Sequence, residues 1–103
     1  DRYKFVQPAD KVGFQIMLHA IGGAANDVVL SVFERVAKEN GARDRRFRVE
    51  HAHNVREEDL PRFGKSKIIA SMQPHLFAGG AWNDSEPYRT LLDSNVVIAF
   101  GSD

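Results

Sequence analysis

Cysteine is absent from all 103 residues. That excludes disulfides and thiolate ligands, so any metal must be held by His, Asp or Glu. An excess of either charge is also missing: 14 basic and 14 acidic side chains leave a formal net charge of zero. Such a balance favours neither nucleic acid nor an anionic membrane surface as partner. No apolar run approaches the ~20 residues of a membrane span. No signal-like apolar segment follows the start at Asp1, and the compartment stays open, with the cytoplasm as the default expectation. Repeats and low-complexity tracts are lacking as well. What is present is 43% hydrophobic and 27% charged, the composition of a globular chain.

The length suits one small domain. It falls well short of the roughly 250 residues that a complete eight-stranded (β/α) barrel needs. Residues 1–103 are therefore expected to be a piece of a single larger domain.

Hydrophobic patterning sets a strand-then-helix rhythm. Residues 14–19 form a short apolar run behind Gly13 and predict a strand ending at His19. From about Ala24 to Asn40, the positions Val29, Val32, Phe33, Val36 and Ala37 recur at helical spacing and form one stripe. Asn40 and Gly41 supply the stop. The basic turn at 43–46 leads into a second strand, 47–51. A short helix is expected over 57–63, with acidic residues at its start and Pro61 in its first turns. Residues 68–73 read as a third strand, and a loop from Pro74 to Asp84 carries Trp82. Ser85 suits the cap of a helix in which Tyr88, Leu91 and Leu92 share a face. Asn95 ends that helix, and 96–100 read as a fourth strand. Residues 1–12 fit the tail of a preceding helix despite Pro8. Near-continuous apolar strands alternating with helices point to a parallel sheet covered by helices, an α/β architecture forming part of a TIM (β/α) barrel.

In such a sheet the C-terminal ends of the strands gather around one mouth. His19, His51 and Asp103 fall at or just past three of the expected strand ends. Two imidazoles and a carboxylate meeting there are the donors of a divalent-metal site. Each residue alone has an ordinary reading as a polar strand end. Alternation along the strand places His51 and His53 on one face and Glu50 on the other, behind the sheet. His53 is assigned to the pocket or to support of the ligands, and Gln73 and His75 to the mouth, where each either meets substrate or bonds within the loop. The arginines of the 43–48 segment are read as a solvated turn with ion pairs, away from the chemistry.

Four motifs occur in order: HAIGG (19–23), RVEHA (48–52), SMQP (71–74) and GSD (101–103). Together they resemble the amidohydrolase superfamily, specifically amidohydrolase family 3, which includes N-substituted formamide deformylases. Plant members linked to far-red light signalling are similar around RDRRFR (43–48). The likeness runs through nearly the whole chain. It implies a metal-dependent barrel hydrolase whose fifth to eighth strands are the four seen here. It further implies that His19 and His51 are metal ligands, and that Asp103 both faces the metal and moves the proton. The implied cofactor is a divalent metal, with zinc as first choice. The implied reaction is hydrolysis of a non-peptide C–N bond in a small-molecule amide, with oligomerisation left open.

The first-strand His-x-His pair and the fourth-strand bridging residue of that family have no counterpart in these residues. The 103 residues alone are therefore expected to be inactive. The family usually has Asp where this chain has Gly23, often has Gln where it has His53, and often carries one more residue before the equivalent of His75. These departures leave a second reading open, a catalytically degenerate scaffold in binding or signalling.

Overall fold

A computed structural model describes residues 1–74 and 87–103. Its elements are α1 (Tyr3–Lys11), β1 (Met17–Ile21), α2 (Gly23–Asn40), β2 (Arg48–His53), α3 (Leu60–Lys65), β3 (Ile69–Met72), α4 (Tyr88–Asp93) and β4 (Ile98–Phe100). A 3-10 turn at Glu57–Asp59 leads into α3. The strands pair in sequence order, β1-β2-β3-β4, and every pairing is parallel. This is the partial barrel that the patterning implies. No helix among the described residues is long and apolar enough to cross a membrane.

Element boundaries moved in ways local chemistry explains. β1 begins three residues later than expected, because residues 13–16 are used to turn the chain out of α1. Gly13 takes φ 98, the Phe14 amide bonds back to Ala9 O at 3.1 Å, and Gln15 donates to Arg46 O at 2.9 Å. His19 consequently lies inside β1 and not at its end. β2 runs on to His53, and β4 starts only at Ile98. α1 forms with Pro8 inside it, although proline there removes one rung of the helix ladder. In α4, Leu91 is buried but Leu92 is 56% exposed. Leu92 therefore does not share the core face expected of it. Trp82, Ser85 and His75 lie outside the described residues.

One face of the sheet is covered by helices. Ala20, Val49, Ala70 and Met72 point there and are buried with Val29, Leu30, Phe33 and Val36 of α2, Phe63 of α3 and Leu91 of α4. Phe33 stacks on Phe47 with ring centroids 4.3 Å apart. The other face carries Met17, His19 and Ile21, all exposed.

The end of the sheet where the strands begin is tied by a buried carboxylate. Asp10 is fully buried. It accepts from Arg43 at 2.7 Å, Arg45 at 2.9 Å and Asn40 at 2.9 Å. The ion pairs expected of the basic turn are present, but Arg45 is drawn in to 6% side-chain exposure and is not solvated as expected. A cavity of about 970 Å³ lies at this same end, between Phe33 and Phe47 and the basic side chains Lys38, Arg43, Lys65 and Lys67. The histidines lie at the opposite end.

Candidate metal centre

The opposite end is built around an irregularity in β2. Ala20 pairs with His51, but the next residue, Ile21, pairs with His53, so β2 carries one extra residue. His51 takes φ 72 and Ala52 φ 49, left-handed values that side chains other than glycine rarely adopt. A bulge of this kind re-aims a side chain. Glu50 pairs across the sheet with His19 and Ser71, so it lies on the open face and not behind the sheet as alternation implied. Simple alternation would then send His51 to the helices. The bulge gives that position to Ala52, which is fully buried, and the His51 ring comes to lie 5.0 Å from that of His19. The His53 ring lies 5.4 Å from His51, edge-on.

The bulge is pinned from α2. The carbonyl of His53 accepts from the Gly22 amide at 2.9 Å and from Asn26 Nδ2 at 2.9 Å. The same Nδ2 reaches Gly22 O at 2.9 Å. Asn26 is fully buried. Sequence reading passed over it, yet a signal was present: Asn26 extends the Val29, Leu30, Phe33 stripe by one turn, a lone amide on an apolar face.

Gln73 closes the cluster from the end of β3. It is only 4% exposed. Its Oε1 accepts a hydrogen bond from His51 Nδ1 at 2.8 Å. Burial, and then the neighbouring His51 charge, hold the His53 imidazole below its ordinary range against the Gln73 bond and the Asp103 carboxylate. That carboxylate lies near enough to act on His53 electrostatically, although Asp103 itself is exposed, three residues past β4, with φ 60. For Glu50, burial is the largest influence and pushes the carboxyl up. Hydrogen bonds from Arg48 and Ser71, with the charges of Arg48 and His19, together hold it below the usual carboxylate range.

The donor chemistry fits a divalent cation: imidazoles beside carboxylates are borderline donors that suit zinc and its neighbours. A Gln oxygen on His51 Nδ1 leaves Nε2 as the lone-pair nitrogen, the state a ligand must have. Among the described residues, no three His, Asp or Glu side chains are grouped closely enough to hold an ion by themselves.

Gly23 opens α2. A Cβ there would come within 2.8 Å of Arg56 Cγ, so the Arg56 side chain fills the space that a larger residue would claim. Arg56 also pairs loosely with Asp27, at 3.8 Å.

A parallel sheet of strand–helix units with imidazoles toward its C-terminal end is a segment of a (β/α) barrel. The chain belongs to the amidohydrolase family, whose profile matches residues 2–103. It is similar to Protein LONG AFTER FAR-RED 3 of Arabidopsis thaliana, 42% identical over 96% of this chain and 19% of that protein. It is also similar to an N-substituted formamide deformylase of Arthrobacter pascens, 28% identical over 92% of this chain and 20% of the enzyme. Among solved structures it resembles metal-dependent hydrolases from Pyrococcus furiosus (TM-score 0.75, 28% identity) and Pyrococcus horikoshii (TM-score 0.76, 26% identity). These alignments cover 98% and 99% of this chain and 22% of each hydrolase. The chain spans about a fifth of the length of the curated relatives it matches.

Proposed function

We propose that this chain supplies the fifth- to eighth-strand side of the active site of a metal-dependent hydrolase that cleaves an amide- or formamide-type C–N bond in a small molecule. The observation that carries the reading is the His19–His51 pair, with rings 5.0 Å apart and the second ring held by Gln73. His19 and His51 are the residues that would hold the ion, with Asp103, from the segment after β4, as the third. A bound divalent metal, zinc by donor type, supplies Lewis acidity that activates water and polarises a carbonyl. Asp103, which is exposed, would take the proton of the attacking water and return it to the leaving nitrogen. His53 stays neutral in its buried position and lends the site shape and a hydrogen bond. Glu50, ionised beside His19, offsets positive charge at the site.

The scaffold reading has its own support in Gly23, in the Arg56 side chain covering it, and in the resemblance to LONG AFTER FAR-RED 3. Assay of the intact protein on a set of N-substituted formamides and simple amides separates the two. The hydrolase reading expects turnover that is lost on chelation and regained with added zinc. Absence of both turnover and stoichiometric metal supports the scaffold.

A further inference from the structure

We propose that Gln73 is a positioning residue that selects the Nδ1–H tautomer of His51 and so fixes Nε2 as the atom offered to a cation. This rests on the metal-hydrolase reading of the site. A neutral imidazole carries one proton, and the hydrogen bond made by one ring nitrogen decides where the lone pair sits. The Gln73 Oε1 can only accept, and it lies 2.8 Å from His51 Nδ1. The proton is therefore held on Nδ1, and the lone pair faces away from β3.

Gln73 is well placed to enforce this. It follows directly on β3, whose Ser71 pairs with Glu50, and it is almost fully buried, so water competes little for its oxygen. Two independent restraints then meet on one bulge. The backbone of the bulge is clamped through His53 O by Gly22 and Asn26, and the ring of His51 is clamped by Gln73. Side chain and tautomer are set before any ion arrives, which is how supporting residues raise ligand basicity and metal affinity. Sequence alone left Gln73 divided between substrate contact and loop bonding. Its contact with His51 favours the supporting role.

Histidine-selective 15N NMR of the metal-free intact protein reads the tautomer directly, and competition with a chromophoric chelator reads zinc affinity. Wild-type protein should show His51 protonated at Nδ1 with Nε2 bare. In Gln73→Leu, the His51 signals should shift toward the Nε2–H form, and zinc affinity should fall about 10- to 100-fold. Gln73→Glu, whose carboxylate accepts the same proton, should keep the wild-type tautomer and retain tight zinc binding. His51 protonated at Nε2 in the wild type overturns the proposal without recourse to any variant. An unchanged tautomer in folded Gln73→Leu, with zinc affinity within about twofold of wild type, overturns it as well. Wild-type protein that shows the Nδ1–H form but binds no zinc refutes the hydrolase reading and leaves the Gln73 contact standing.

Discussion

The two ends of the sheet use the same residue types for opposite purposes. Where the strands begin, Asp10 is fully buried and shares its oxygens among Arg43, Arg45 and Asn40. Where they finish, Asp103 is exposed, and left-handed backbone at His51, Ala52 and Asn54 crowds the end of β2. At the first end both Asp10 oxygens have partners. The second spends conformational energy to bring polar rings together, and strain of that kind persists only where the surroundings over-determine it. In parallel barrels the starting ends of the strands serve stability and the finishing ends serve chemistry. The contrast teaches that an acid's role here is set by its burial and partners more than by its identity.

The largest expected effect breaks the contrast from the chemical side. Asp103→Asn in the intact protein should lower turnover by roughly 10² to 10⁴ and leave the melting temperature close to wild type, because the side chain is exposed. Near-normal turnover would remove Asp103 from the mechanism. On the other side, Asp10→Ala should cost about 3–5 kcal/mol of stability, since it leaves Arg45 buried without its partner. Urea unfolding checks this, and a loss below about 1 kcal/mol would show that the network is ornamental. The smallest change sharpens the boundary between the two ends. Asn26→Ala should cost only roughly 1–2 kcal/mol, because Asn26 Oδ1 already lacks a hydrogen-bond partner among the described residues. Its signature is the bulge: zinc binding should weaken in a variant whose unfolding midpoint moves little.

Much of this was readable from the chain. The α2 stripe, the four strands and their parallel order follow from periodicity and βα rhythm, and the motif order singled out His19 and His51, whose rings lie 5.0 Å apart. The face of Glu50 was not readable. Placing it requires knowing that β2 carries a bulge, and nothing in RVEHAH announces left-handed backbone at His51 and Ala52. Asp10 was missed because its partners lie some thirty residues downstream, and an acid near a helix end has an ordinary solvated reading. Leu92 followed the helical spacing of Tyr88 and Leu91, yet it faces outward. In a helix as short as α4, two apolar positions are enough to fill the core contact. The late start of β1 came from a turn whose hydrogen bonds, Phe14 to Ala9 and Gln15 to Arg46, are invisible to apolar patterning.

The most direct test is the zinc content of the intact protein before and after His19→Ala combined with His51→Ala, with circular dichroism as the check on folding. The shared-ligand account predicts the loss of about one equivalent of zinc or more, from a variant that keeps its secondary structure. A folded double variant with its full complement of zinc would contradict it.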